Sequence, residues 1–314
     1  MKLRLSPRTR RLLGALFIGA AALFLARTIY RNWEQLGEAE WRVHPLPLAA
    51  SLAGLVLVFA WGVWVWSRVQ RHFEHARVPL STLMRIWFLS TLTRYIPGMQ
   101  IVAVAQLSRS AGLSGAVLLT SMAVHTGLSL LSALLISAWS LPEHLAPGVD
   151  PLWAGAAATV ASLLLVHPAT LNYPLGLLRR VLKRDVTRWR GSWLDGIGLL
   201  GLSVLSWVFY GAAYYLFLHS LVPLPLGTIV PLAGVNALSF AIGFLSPSPG
   251  GGGVREVAMQ GLLGPFFPAA VAAVLSVASR LWTVAAELIG GGLAVWFTRG
   301  KVIRKRSAAG SRET

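Results

Sequence analysis

The sequence predicts an all-α protein, a polytopic bundle of membrane helices. Three observations carry that prediction: 55% of the 314 residues are hydrophobic against 12% charged, apolar segments long enough to cross a bilayer follow one another along the chain, and the basic residues cluster between them. An ordinary soluble domain is roughly one-quarter charged, and no soluble core could hide this much apolar surface. The connections are too short to form a separate globular unit, so the chain reads as a single membrane domain over 1–314. Cysteine is absent, which excludes a disulfide framework, a thiolate metal site and a cysteine nucleophile.

The formal charge of +17 raises the question of nucleic acid, and its distribution answers it. Five basic residues lie in Met1–Arg11, three in Ser67–Ser81, six in Arg179–Arg190 and six in Arg299–Arg312. Each cluster flanks an apolar span, which is the positive-inside pattern. A reader of nucleic acid concentrates its charge on a folded polar domain; here anionic lipid is the expected partner.

A helical span needs about 20 mostly apolar residues. Leu12–Tyr30 is the first, read as a retained span because no cleavage site follows its basic start and Arg27-Thr-Ile-Tyr-Arg31 closes it. Leu46–Trp66 is the second. Between them Asn32–His44 carries Glu34, Glu38 and Glu40 against Arg42 alone, whereas Ser67–Ser81 carries Arg68, Arg71 and Arg77, so the N-terminus and the second loop are expected in the cytoplasm. Trp33, Trp41, Trp61, Trp64 and Trp66 stand near the boundaries as interfacial anchors. Ser114–Ser140 goes out, Pro151–His167 returns to the basic loop Arg179–Arg190, Trp193–His219 goes out again, and Pro268–Thr298 comes back to a basic cytoplasmic tail, 299–314. These are six full spans.

Two apolar segments, Thr82–Arg109 and Gly227–Gly264, are broken near their middles at Tyr95-Ile-Pro-Gly98 and Ser246-Pro-Ser-Pro-Gly-Gly-Gly-Gly253. Proline removes a donor and glycine readily leaves helical geometry. Hydropathy alone would count one or both as spans, giving seven or eight; two re-entrant helical hairpins place every basic loop inside without exception. On that assignment 1–140 and 151–298 are inverted half-repeats, each reading span, span, hairpin, span, an architecture of transporters.

Ionisable groups at membrane depth are functional candidates. Arg94 precedes the first break, Arg255 and Glu256 follow the second, and Arg280 and Glu287 lie seven residues apart on the last span. Two turns separate the latter by about 10 Å, too far for mutual contact, so each is expected to meet a hairpin. These charges can pin the hairpins to the bundle, or form a site for an anionic headgroup, since arginine presents a planar fork suited to phosphate and free N–H groups of Gly250–Gly253 could assist; the two readings are compatible. The glycine run lacks the Gly-Lys-Ser/Thr ending of a phosphate loop. Arg109 reads as a snorkelling anchor. His125, Ser129, Ser132 and Ser137 read as helix-packing hydrogen bonders, and His167 and His219 as residues near span ends. No metal spacing, serine–histidine pair or paired carboxylate argues for an enzyme.

Leu92-Thr-Arg-Tyr-Ile-Pro-Gly98 and Gly243-Phe-Leu-Ser-Pro-Ser-Pro-Gly-Gly-Gly-Gly-Val-Arg-Glu256, followed by Ser279-Arg-Leu-Trp282 and Glu287, resemble the motifs of the lysylphosphatidylglycerol synthase transmembrane, or flippase-like, family over nearly the whole chain. The pattern departs from many relatives at Met99-Gln100. The resemblance implies an integral protein of a bacterial or archaeal cell membrane that moves an anionic or modified lipid between leaflets without a cofactor, with a phospholipid or polyprenyl-phosphate lipid as substrate and envelope-lipid enzymes as possible partners. It carries Arg94, Pro97, Gly98, Gly253, Arg255, Glu256, Arg280 and Glu287 over as the translocation site. The soluble synthase domain is expected to be absent, and aminoacylation is not carried over. The alternatives are a membrane-embedded transferase on lipid-linked sugars, which two carboxylates are too few to favour, and a non-transporting scaffold.

The charge pattern makes a testable prediction about topology. Single cysteines at Gln35 and Glu143 should be labelled by an impermeant maleimide from outside intact cells, and those at Arg77, Arg184 and Ser307 only after permeabilisation; external labelling at Arg184 would overturn the scheme.

Overall fold

The computed structural model describes residues 19, 22–73, 78–94, 96, 99–141, 148–182, 188–246 and 248–310, with 177–182, 249 and 297–310 as backbone only. Pro97 and Gly98, the cluster Met1–Arg11 and the start of the first expected span lie outside them. Every regular element among the described residues is helical.

Helix α1 (22–31) and the short α2 (Trp33–Glu38) lead into α3 (Pro45–Gln70), which starts on a proline whose missing N–H costs nothing there. Next come α4 (Leu80–Thr91), α5 (Met99–Ser110) and α6 (Gly115–Ser140), then α7 (Pro151–Leu165), α8 (Pro168–Leu182), α9 (Trp193–His219), α10 (Ile229–Leu245), α11 (Val254–Leu263) and α12 (Ala269–Gly310). The chain is an integral membrane protein: five segments, Pro45–Gln70, Gly115–Ser140, Trp193–His219, Leu226–Leu245 and Ala269–Trp296, are long and apolar enough to cross. Ser192 and Asp195 close a capping box at the start of α9.

Two expectations are corrected in detail. The expected span Pro151–His167 is the 15-residue helix α7, which meets the length and hydropathy requirement only together with Pro168–Gly176, bent from it by 65°. Pro168 disfavours helical geometry at the residue before it, and the His167 ring instead accepts the Ala169 N–H at 3.3 Å, starting a new helix. The second broken segment has unequal arms: α10 has 17 residues and α11 only 10, roughly 25 and 15 Å. With the turn at Leu226–Thr228, the longer arm meets the length requirement of a span by itself.

In the first broken segment the arms are equal, 12 residues each, or about 18 Å, too short for a hydrocarbon core of about 30 Å. They pack on each other, α5 also on α6, and α4 on α12. Gly290 of α12 permits that approach, since a Cβ there would lie 2.0 Å from the Phe88 ring. In the second, α11 folds back along α10 where Gly243 leaves room; a Cβ there would lie 2.7 Å from that of Arg255. The turn between them carries positive φ at Gly250, Gly251 and Gly253, which explains the glycine run.

Arg280 and Glu287 of α12 each hold one hairpin. Glu287, 1% exposed, pairs with Arg94 at the end of the first hairpin's entering arm. Arg280 pairs with Glu256 of α11 at 3.5 Å and donates to the Gly250 carbonyl at 3.1 Å. Glu256 also accepts the Gly253 N–H at 2.6 Å, so one carboxylate caps α11 and ties it to α12.

Removing one partner of a buried ion pair typically costs about 3–5 kcal/mol, whereas exposed substitutions stay within about 0.5 kcal/mol. Glu287→Gln should therefore lower the melting temperature in detergent by several degrees, and Glu34→Gln, on an exposed side chain, should leave it unchanged. Equal melting of the two would show that the pair does not hold the hairpin.

Candidate functional site

The hairpins and α12 close around a cavity of about 350 Å3, within the size range of small-ligand sites. One side is supplied by Thr91 at the end of α4 and Arg94 just after it, by Gly250, Gly251 and Arg255 of the second hairpin, and by Arg280 of α12. The other belongs to α3, α6 and α9. Irregular backbone at membrane depth is tolerated where it lines a cavity of this kind.

Of the residues expected at the site, Arg94, Arg255 and Arg280 line the cavity together. Glu256 and Glu287 are absent from the lining and are engaged with Arg280 and Arg94. Gly253 stands at the N-cap of α11 with φ 82°. Pro97 and Gly98 lie outside the described residues. The glycine run was expected to offer free N–H groups, but the Gly253 N–H goes to Glu256 and the Gly251 N–H to the Ser248 carbonyl at 3.0 Å.

Arg255 differs from its neighbours. It is 8% exposed, and among the described residues its guanidinium donates to the neutral Asn236 amide oxygen, 3.2 Å from Nη2. The Arg255 methylenes run past Gly243 of α10, which aims the head back along that helix toward Asn236. Asn236 is itself buried, and its amide nitrogen has no partner among the described residues. Thr91, 2% exposed, likewise presents a hydroxyl without a partner among the described residues.

Sequence reasoning missed several lining residues. Thr126 and Ser129 of α6 and Ser203, Ser206, Trp207 and Tyr210 of α9 border the cavity; the α9 residues fall at i, i+3, i+4 and i+7, a spacing that could have exposed them as one face. His125, read as a packing residue, also lines the cavity while meeting the Gly62 backbone. Ser129 lines it too, and its carbonyl accepts Trp207 Nε1 at 3.0 Å. Ser137 does join helices, donating to the Gly234 carbonyl of α10 at 3.3 Å. Arg109 is exposed at the end of α5, apart from the cavity. Among the described residues no group of three His, Cys, Asp or Glu could hold a metal ion.

No curated protein matches the chain. The family model for the lysylphosphatidylglycerol synthase TM region matches residues 12–291 of the 314, and the chain belongs to that family.

Proposed function

We propose that the protein is a lipid translocase that passes an anionic headgroup, of a phospholipid or a polyprenyl-phosphate lipid, between the leaflets of a bacterial or archaeal cell membrane. Membership of a family named for a lipid synthase supports a role in membrane-lipid biology. The observation that carries the reading is Arg255: a guanidinium 8% exposed, held by a neutral amide and lining a cavity beside Arg94 and Arg280. Among the described residues no carboxylate pairs with Arg255; a buried charge so placed is costly, and such charges at membrane depth mark substrate paths. A phosphate, bound through the arginine fork, is the ligand that removes the cost.

The rest of the mechanism follows from the arrangement. The lipid enters sideways, its headgroup meets Arg94 from the cytoplasmic side or Arg255 from the outer side, and rocking of two inverted halves, 1–140 and 151–298, alternates access. The two hairpins at corresponding places in the halves, both joined to α12 by ion pairs, favour this scheme, with both termini in the cytoplasm.

The test is leaflet-to-leaflet transfer of a fluorescent anionic lipid in proteoliposomes, alongside melting temperature. Arg255→Met removes the uncompensated charge at similar length, so stability should stay level or rise while transfer falls about tenfold or more. Arg255→Lys keeps the charge but loses the fork and should fall between. Full transfer by stable Arg255→Met would overturn the proposal and favour a scaffold role.

A further inference from the structure

Helices α3 and α9, the second full spans of the two proposed halves, run antiparallel and are fastened together at both ends. At the expected outer surface the Arg42 N–H donates to the Leu221 carbonyl and the His44 N–H to the Ser220 carbonyl, each at 2.9 Å. At the expected cytoplasmic surface the Arg190 N–H donates to the His72 carbonyl at 3.0 Å. There the buried Trp189 ring lies against His72 and Phe73, with centroids 4.5 and 5.8 Å away. Asn172 fixes Trp189 in place, accepting its backbone N–H at 2.9 Å and donating to its carbonyl at 3.1 Å. From His44 to His72 the helical rise is about 42 Å, the thickness of a bilayer with its headgroups. Between the two ties the helices stay in register: a Cβ on Gly54 would lie 3.4 Å from that of Ala213, Phe59 meets Tyr210 edge-on at 6.3 Å, and the Trp61 indole N–H donates to the Leu202 carbonyl at 3.2 Å.

Among the described residues, none of those making the end ties lines the cavity. A ligand shifts only an equilibrium whose two states it meets differently, so a headgroup in the cavity has no direct hold on either end of this pair. The first hairpin is seated on α12 through the Arg94–Glu287 ion pair, and Arg94 does line the cavity, where an anion competes with the carboxylate. A tilt that parted α3 from α9 at one surface would break backbone hydrogen bonds or uncover Trp189, and no ligand contact would offset the loss. Resting on the translocase reading, we infer that α3 and α9 form a seam that stays closed at both membrane surfaces throughout the cycle. The rocking of the halves is then a turn about the length of the seam, and it opens the cavity on the opposite side, where the hairpins meet α12.

The chain has no cysteine, so paired cysteines can be cross-linked in an otherwise unaltered protein by a short, membrane-permeant bis-methanethiosulfonate. Arg42→Cys with Leu221→Cys closes the outer end of the seam, and His72→Cys with Arg190→Cys the inner end. Leu92→Cys with Gly291→Cys closes the first hairpin on α12, where a Cβ on Gly291 would lie 3.8 Å from Leu92 Cγ. Transfer of acyl-labelled phosphatidylglycerol in proteoliposomes is read before cross-linking, after it and after reduction. Both seam links should leave transfer unchanged, whereas the hairpin link should lower it by about tenfold or more by blocking a conformational step, and reduction should restore it. Loss of transfer on closing either seam link, restored by reduction, would overturn the inference, as would undiminished transfer with the hairpin link closed. The rates of cross-linking give a readout free of transport. In nanodiscs, exchanging phosphatidylcholine for phosphatidylglycerol should slow closure of the hairpin pair and leave both seam pairs unchanged; slowing at a seam pair would count against the closed seam. Absence of lipid transfer by every chain, with the seam rates unchanged, would sink the translocase reading alone, so the two failures are distinct.

Discussion

The structure depends on α12 carrying an arginine and a glutamate two turns apart. A half-length helix at membrane depth cannot be held by the bilayer, because lipid tails are as apolar as its own leucines and give it no reason to stay against the bundle. Charge pairing supplies that reason. Glu287 takes Arg94 of the first hairpin and Arg280 takes Glu256 of the second, so a single helix fixes both. The pairs also have opposite sense: α12 supplies the anion to one hairpin and the cation to the other. Neither hairpin can replace the other in its seat without setting like charges together, which assigns each to one place.

That same arrangement determines what is left over. Arg94, Arg255 and Arg280 line the cavity while Glu256 and Glu287 do not, so the cavity presents donors and withholds the carboxylates. Glu256 is withheld for a local reason: the turn through Gly253 at φ 82° brings its N–H onto the Glu256 side chain one turn later, and the carboxylate is thereby fixed at the base of α11, where Arg280 reaches it. The irregular glycine turn and the charge balance of the cavity are one feature seen at two scales.

Much of this was legible in the sequence, and the exceptions have physical causes. Spans 45–70, 115–140 and 193–219 were found within a few residues of their ends because a membrane-crossing helix must satisfy its own backbone and stay apolar over its length, a constraint written residue by residue. The seven-residue spacing of Arg280 and Glu287 suggested a separate hairpin partner for each, and Glu256 and Arg94 are those partners. The bend at Val166–Pro168 was hidden because apolarity continues across it, and only the proline hints at it. The serines and threonines lining the cavity were hidden for a different reason. Serine and threonine occur throughout membrane helices as packing residues, and only the three-dimensional convergence of α6 with α9 separates Ser203 and Ser206, which border the cavity, from Ser137, which joins two helices. Asn236, an amide inside an apolar segment, was a visible signal that had not been used.

A translocation site has to release what it binds, and the ion pairs bear on that requirement. Three unopposed arginines in a low-dielectric cavity would hold a phosphate too tightly for it to leave. Arg94 and Arg280, however, already satisfy part of their charge on Glu287 and Glu256, so a headgroup binding them competes with an internal carboxylate and gains only the difference. On the proposed reading Arg255, which has no carboxylate partner among the described residues, meets the phosphate without such competition. On the proposed reading, the affinity is set mainly by one arginine and moderated at the other two, and since those two belong to pairs that seat separate hairpins, a headgroup drawing on either also loosens that hairpin's hold on α12. Binding and the freedom of the hairpins to move are then linked through the same side chains, which is the differential interaction any ligand-driven change of state requires.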